Sequence, residues 1–288
     1  MRRLLPLFIV IGIVCPGVRA LAQTYFTSTE VGFSAGGSQY FGDLNDRYGF
    51  KTINPAYGIY GRKHINNYIS LKIGAYYTQV SYDDKLNTDL FQQQRNLNFR
   101  SNIAEASFQA EFNFFRFVTG DHYHRFTPYL TGGIGAFMFD PYTTHAGSKY
   151  LLRPLGTEGQ NLGGFDERKY TNISACVPIG AGVKYWISGG VNLTLEITDR
   201  LTFTDYLDDV STTYVGLDRF PVSSKTPAYL LQDRSIEINP DNPLGRKGKQ
   251  RGNSATKDQY LMAMLSVSIH FVTYKCPNFM DKDMISTY

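Results

Sequence analysis

The sequence lacks the signatures of several large protein classes. Beyond its N-terminus it has no run of about 18 consecutive apolar residues, the length that a membrane-spanning helix needs. It also has no G-x-S-x-G elbow, no H-E-x-x-H pair and no phosphate-binding loop, so none of these motifs indicates catalysis. The net charge of +4 is small and dispersed, unlike that of a nucleic-acid-binding surface. We therefore predict a protein that is not an enzyme, uses no cofactor and binds no nucleic acid.

The N-terminus has the three parts of a secretory signal peptide. Arg2 and Arg3 give a basic start, residues 4–14 are an apolar segment, and Ala20 and Ala22 form an A-x-A cleavage site. We predict that residues 1–22 are removed on export. The mature chain then lies in an oxidising compartment, where cysteines can form disulfides.

The sequence is rich in residues that alternate between apolar and polar. From Leu261 to Phe271 every odd position is apolar, whereas the even positions change from methionine to serine and histidine. A period of two predicts a strand with one apolar and one polar face. The mean hydropathy of −0.27 agrees with a barrel, in which only alternate residues face lipid.

The pattern recurs along the chain and predicts eight strands joined by connections of alternating length. Tight connections near residues 65–67, 120–121 and 188–190 alternate with long ones at 44–55, 83–98, 140–169 and 202–257. Short turns on one side and long loops on the other are typical of an outer-membrane barrel whose termini and short turns lie in the periplasm. The predicted strands are residues 30–41, 56–64, 68–82, 100–116, 126–139, 170–187, 191–201 and 259–271.

We therefore predict an all-β fold, an up-and-down antiparallel transmembrane β-barrel of about eight strands with long extracellular loops. The barrel comprises residues 23–275, in the cell outer membrane, and residues 276–288 form a periplasmic C-terminal tail.

Charged residues within the predicted strands fall on the polar face. A barrel of about eight strands is just wide enough for side chains to fill it, and buried charges must be paired. We therefore predict an ion-pair network in the lumen instead of an open pore, with Arg62 as a further candidate member. The predicted network contains Lys72, Glu105, Glu111, Lys184 and Glu196.

Two other groups of residues could bind a metal ion. His122 and His124 form an H-x-H pair in a predicted turn, for which a solvated role is the simpler interpretation. Asp205, Asp208 and Asp209 follow the seventh strand, where they could bind Ca²⁺ or order the loop by accepting hydrogen bonds from its amides. We favour loop ordering and assign no metal.

The mature chain keeps two cysteines. Cys176 lies on the predicted lumen face near the outer rim, whereas Cys276 follows the last strand at the periplasmic end. The distance between these places makes a bridge between them doubtful. Cys276 is therefore either a free thiol or the site of an intermolecular bond.

Three segments resemble the PorG-like outer-membrane barrels of Bacteroidetes. They are residues 31–45 (VGFSAGGSQYFGDLN), 205–215 (DYLDDVSTTYV) and 274–279 (YKCPNF), of which the second is the most specific. Gly216 departs from the pattern, because an acidic residue is expected there. The type member of that family belongs to the type IX protein secretion apparatus and is associated with a periplasmic ring of the PorK lipoprotein and PorN.

The resemblance implies a non-enzymatic barrel that anchors this ring to the outer membrane. It also implies a docking surface that includes Cys276, Pro277 and Phe279, with Cys276 as the residue to suspect in a covalent link to the ring. The alternatives are a stand-alone small barrel for adhesion or passive transport, which would work through its long loops, and a lipid-modifying barrel enzyme.

Overall fold

A computed structural model describes residues 26–220 and 226–274. Residues 28–271 form one compact unit, and residues 26–27 and 272–274 are described as the ends of two strands. The predicted signal peptide and the segment 276–288 lie outside the described residues. The strands are β1 Phe26–Phe41, β2 Asn54–His64, β3 Ile69–Asp83, β4 Asn98–Asn113, β5 Phe126–His145, β6 Ser148–Leu151, β7 Ile173–Ser188, β8 Val191–Thr202 and β9 Gln259–Tyr274.

Eight of these strands close into a barrel. Each pairs with the next along the chain, except that β5 pairs with both β4 and β7, and β9 pairs with β1 to close the ring. The pairings β1–β2, β2–β3, β3–β4, β4–β5, β5–β7, β7–β8 and β8–β9 are antiparallel. The prediction of an all-β, eight-stranded antiparallel barrel is therefore confirmed.

Several details differ from the sequence prediction, and β5 continues to His145 where the prediction ended at residue 139. The fourth strand ends at Asn113, so residues 114–116 belong to the turn, and the strand predicted to start at residue 170 begins at Ile173. The short β6 was not predicted. It pairs only with the outer end of β5, as a hairpin that rises above the barrel wall.

The outer surface of the barrel is an apolar belt. Alternation along each strand directs aliphatic and phenyl side chains outward, and aromatic residues lie toward both ends of the strands, as in the two aromatic girdles of outer-membrane barrels. Exposed belt residues include Val31, Phe33, Ile59, Ile73, Phe108, Ile134, Ile179, Leu195, Ile197, Leu265 and Val267. A closed barrel leaves no unpaired strand edge in lipid, so this fold and this belt place the chain in the outer membrane.

Two glycines permit close approach between strands. A Cβ atom at Gly36 would lie 2.0 Å from the carbonyl oxygen of Ala263, and one at Gly133 would lie 2.1 Å from that of Phe108. Neither position accepts a side chain unless the neighbouring strand moves. The Gly-Gly pairs at 36–37 and 132–133 therefore each contain one packing glycine, not a phosphate-binding loop.

The long connections all lie at one end of the barrel. We call them the first loop (42–53), the second loop (84–97), the third loop (146–172) and the fourth loop (203–258), and together the outer cap. They contain three short helices, and no helix in the described ranges is long and apolar enough to cross a membrane. The helices are α1 Leu90–Arg95, α2 Leu152–Leu155 and α3 Pro227–Gln232.

The outer cap and the upper barrel share one hydrophobic core. Leu44, Leu97, Leu152 and Leu207, one from each loop, are buried against aromatic side chains that point inward from the strands. Each buried side chain of this kind contributes roughly 1.5–3 kcal/mol relative to an exposed one. The loops are therefore a folded layer over the outer mouth of the barrel.

Candidate functional site

One buried carboxylate, that of Glu111 on β4, lies at the centre of the lumen network. Its oxygens are 2.8 Å from Nε of Arg62, 2.6 Å from Nζ of Lys184 and 3.6 Å from Nζ of Lys72. The four side chains are at most 3% exposed. Charges this deeply buried are tolerated only when paired, and here one glutamate is shared by three cations.

A second ion pair crosses the lumen from wall to wall. Lys72 of β3 donates to Glu196 of β8 at 2.5 Å, and the hydroxyl of Tyr129 donates to the same oxygen at 2.6 Å. The strand order places β3 and β8 on opposite sides of the ring. The pair therefore places side-chain atoms across the diameter of the barrel.

Glu105 belongs to a separate group nearer the outer end. It accepts from Nε of Arg200 at 3.1 Å and from the hydroxyl of Tyr260 at 2.8 Å. The structure thus joins Lys72, Glu111, Lys184 and Glu196 as one network but gives Glu105 an arginine partner that the sequence analysis missed. The signal was present, because Arg200 shares the parity of Glu196 on β8.

The aspartates of the motif 205–215 are buried in the outer cap, where each has its own donors. Asp209 accepts from Thr157 at 2.5 Å and from Tyr170 at 2.6 Å, which ties the fourth loop to the third. Asp205 accepts from Ser211 at 2.6 Å within its own loop. The donors in these contacts are hydroxyl groups, whereas the sequence analysis expected loop amides; an amide, that of Val210, donates to Asp208 at 2.9 Å.

Asp208 shares a tyrosine with a carboxylate from the start of β9. The hydroxyl of Tyr40 is 2.6 Å from Oδ2 of Asp208 and 2.9 Å from Oδ1 of Asp258. Burial, and then the neighbouring carboxylates, raise the pKa of Asp208 and of Asp258 well above the usual range. A phenol has one hydrogen, so the second short contact requires a proton on one of the two carboxyl groups.

A buried salt bridge also holds the fourth loop to the third. Nη1 of Arg251 is 3.0 Å from Oε1 of Glu158, and the same atom donates to the carbonyl of Asp209 at 2.7 Å. Glu158 in turn accepts from the amide of Ser211 at 2.9 Å. The sequence analysis missed this pair, because the long loops have no periodicity that assigns a side chain to the interior.

A third polar cluster lies at the opposite, periplasmic end of the lumen. It joins Glu30 of β1, His64 of β2 and His270 of β9, none of which was predicted as a site residue. His270 sits among the polar even positions of the last strand, so its inward direction could have been predicted by parity. The contact between His270 and His64 could not have been predicted, because closure of the barrel brings the two residues together.

The H-x-H pair does not act as a pair in the structure. Nδ1 of His124 is 2.7 Å from Oδ2 of Asp121, whereas the ring of His122 packs edge-on against Trp186 at 4.9 Å. Asp121 also accepts from the amide of Tyr123 at 2.9 Å, which makes this a turn closed by its own aspartate.

Of the described cysteines, Cys176 is a free thiol buried on the lumen side near the outer end of β7. The predicted docking residues Cys276, Pro277 and Phe279 lie outside the described residues, so their role stays a prediction.

A family described as a domain of unknown function, DUF6089, has a sequence model that matches residues 6–217. The chain belongs to the DUF6089 family. The match runs through β1 to β8 and ends beyond the motif 205–215 of the fourth loop. No curated protein matches this DUF6089 chain.

Small outer-membrane barrels are similar to this DUF6089 chain in structure. Ail, the attachment invasion locus protein of Yersinia pestis, is 8% identical with a TM-score of 0.40, over 85% of this chain and 99% of Ail. Neisserial surface protein A is 12% identical with a TM-score of 0.40, over 84% of this chain and 97% of that protein. The N-terminal barrel domain of Pseudomonas aeruginosa OprF is 13% identical with a TM-score of 0.35, over 84% of this chain and 97% of that domain. At these scores the fold assignment rests on the strand pairing of the chain itself.

Replacing Glu111 with alanine tests how far the lumen depends on this carboxylate. The substitution removes the carboxylate that pairs with Lys184 and one of the two that pair with Arg62, so we expect the free energy of unfolding to fall by about 3–5 kcal/mol. Urea unfolding of the barrel in detergent micelles, followed by the fluorescence of the single tryptophan, measures the change. Glu167→Ala is the matched control, because its side chain is 70% exposed and its loss should cost less than about 1 kcal/mol. Equal effects of the two substitutions would contradict a structural role for the network.

The acidic groups of the outer cap make its stability depend on pH. Burial, with the carboxylates of Asp43 and Glu158 nearby, raises the pKa of Asp205 to about 7. The pKa of an aspartate in the unfolded chain is about 3.9. The folded cap thus binds this proton more tightly than the unfolded chain, so the cap loses stability as the pH rises between these values.

Asp205→Asn should remove this part of the pH dependence. Relative to wild type at the same pH, the fourth loop of the variant should exchange its amide hydrogens more slowly at pH 8 and at a similar rate at about pH 3.5, where the aspartate is largely protonated in both the folded and the unfolded chain. Asp166→Asn, whose side chain is 75% exposed, should match wild type at both. A constant ratio of exchange rates for Asp205→Asn across the range would refute this account.

Proposed function

We propose that this protein is a non-enzymatic outer-membrane component of the type IX protein secretion system. In this role the barrel anchors a periplasmic ring of PorK-like and PorN-like proteins to the outer membrane, with the short turns and the C-terminal tail as the docking surface. The tail residues Cys276, Pro277 and Phe279 contribute to this surface, and Cys276 forms a disulfide with a ring component.

The observation that carries the proposal is the filled lumen. Lys72 and Glu196 meet across the diameter, and Arg200, Glu105 and Tyr260 form a further layer above them. Above these layers the loops of the outer cap pack into one core with the strands. A lumen filled in this way favours a function at the two ends of the barrel over the passage of a solute through its interior.

Among the functions open to such a barrel, the sequence resemblance to PorG-like barrels favours a role in protein secretion. Its most specific segment, residues 205–215, lies in the core of the outer cap, where Leu207 and Val210 are buried with the aspartates. This segment therefore identifies the fold of the cap and is not itself a contact surface for a periplasmic ring. The segment 274–279 begins at Tyr274, the last described residue of β9, at the periplasmic end of that strand.

Replacing Cys276 with serine tests the proposed covalent link. Non-reducing gels of outer membranes from the native organism should show a species of higher mass that a thiol reductant collapses, and a pull-down should recover ring components. Cys276→Ser should lose the species. Cys176→Ser is the matched control and should keep it, because Cys176 is buried in the lumen.

A monomer on non-reducing gels that recovers no ring component would overturn the secretion role. If the ring is recovered without a disulfide, docking holds and the covalent link is wrong. Deletion of residues 276–288 then measures how much of the docking depends on the tail.

Electrical recordings separate an anchor from a passive transporter. Because charged side chains span the lumen, we expect the purified protein in planar bilayers to give no stepwise conductance under conditions in which an open porin conducts. Regular single-channel steps that scale with the number of inserted barrels would contradict the proposal and favour passive transport.

One feature of the outer surface favours adhesion as a second candidate function. A cavity of about 330 Å³ lies among the first, second and fourth loops, and its lining includes Asp43, Tyr48, Phe91, Arg95 and Lys257. A folded cap with a cavity of mixed aromatic and charged lining suits capture of an external molecule. Loss of attachment on replacing Tyr48 and Phe91, with the ring pull-down negative, would favour this candidate.

A further inference from the structure

Two histidines and a glutamate meet where the barrel closes at its periplasmic end. One ligand atom from each of Glu30, His64 and His270 lies within 4.8 Å of the others. Nε2 of His64 is 2.7 Å from Oε1 of Glu30, and Nδ1 of His270 is 3.7 Å from the same oxygen. Glu30 lies on β1, His64 on β2 and His270 on β9, and β1 is flanked in the ring by the other two strands.

The cluster is reachable from one side only. Glu30 is fully buried, whereas the side chains of His64 and His270 are 12% and 11% exposed. The imidazoles therefore border the periplasmic opening, and the carboxylate forms the floor beneath them. A small ion can reach this place from the periplasm without crossing the charged network.

The carboxylate of Glu30 is held with one oxygen turned toward the histidines. Its Oε2 accepts from Arg62 at 2.7 Å and from Ser268 at 3.0 Å. Its Oε1 accepts from Asn192 at 2.7 Å and faces both imidazoles. Arg62 is shared with Glu111, so its charge does not fall on Glu30 alone.

A serine hydroxyl contacts each imidazole, on the side away from Glu30 in His64 and beside both ring nitrogens in His270. Ser70 Oγ is 2.8 Å from Nδ1 of His64, which directs Nε2 toward Glu30, and Ser28 Oγ is 3.2 Å from the ring nitrogens of His270. A hydroxyl can accept as well as donate, so Ser70 serves His64 whichever ring nitrogen carries the proton. Metal-binding histidines generally have such a partner on the nitrogen that faces away from the ion.

The chemistry of the donors selects the class of ion. Two imidazoles and one carboxylate, with an open side, are a ligand set for Zn²⁺ and similar transition-metal ions. Ca²⁺ and Mg²⁺ prefer oxygen ligands throughout, which this cluster does not offer. The aspartates of the motif 205–215, by contrast, are engaged by hydroxyl and amide donors of the protein.

We propose that Glu30, His64 and His270 bind one divalent transition-metal ion, represented by Zn²⁺, at the periplasmic mouth of the lumen. On binding, the proton of His64 moves from Nε2 to Nδ1, where it is donated to Ser70, and the freed Nε2 bonds the ion. A water molecule from the periplasm completes the coordination. The ion links the first strand of the barrel to the last, so it stabilises the seam at which the ring closes.

Titration with Zn²⁺ tests the site. The mature chain without a polyhistidine tag, folded in detergent micelles, should bind one zinc ion per barrel by calorimetry and keep it through desalting. His64→Gln and His270→Gln should each weaken binding at least tenfold, and the double variant should abolish it. Glutamine keeps a polar side chain of similar size, so these variants preserve the packing of the mouth.

The two turn histidines provide the matched control. His122 and His124 lie at the same end of the barrel, and replacing both with glutamine should leave zinc affinity unchanged. Zinc should also raise the unfolding midpoint of wild type and of this control, but not of the variant lacking His64 and His270, because only folded barrels that bind the ion gain stability.

Three results would overturn the proposal. They are the absence of saturable zinc binding by the folded wild type, binding that survives the loss of His64 and His270, and binding lost with the turn histidines. The tryptophan fluorescence and the strand signal in circular dichroism verify that each variant is folded. The seam site is tested independently of the secretion role, because the zinc titration does not involve the tail residues on which the secretion test depends.

Discussion

The structure depends on one electrostatic constraint, the pairing of charges that the barrel encloses. Glu111 has three cations within 3.6 Å, of which Arg62 also pairs with Glu30 and Lys72 with Glu196. In a lumen of this width no charge can be left without a partner, since an unpaired buried ion costs several kcal/mol. The pairs therefore fix which strands face each other and fill the interior.

The filled interior has consequences at both ends of the molecule. Toward the outside, the aromatic layer above Glu105 supports the hydrophobic core of the outer cap, and the buried aspartates of residues 205–215 hold the loops to one another. Toward the periplasm, the network ends in Glu30, whose carboxylate joins Arg62 on one oxygen and faces two histidines on the other. The filled lumen leaves the two ends of the barrel as its water-accessible surfaces.

The cap and the mouth respond to different chemistry. Burial raises the pKa of Asp205 and of Asp209, so these two groups stabilise the outer layer less as the pH rises from about 4 toward neutral. The mouth offers nitrogen and oxygen donors that suit a transition-metal ion. A barrel that carries both can stay closed and rigid while its two ends meet different surroundings.

The sequence by itself determined the strands, their parity and the compartment, because a period of two, a signal peptide and alternating connection lengths are local properties of the chain. Parity also predicted that Lys72, Glu111, Lys184 and Glu196 point inward. Only the tertiary structure decided their partners, such as Arg200 for Glu105, and the meeting of His64 with His270. These contacts join strands and loops far apart in sequence, and closure of the ring, which no local pattern encodes, determines which side chains meet.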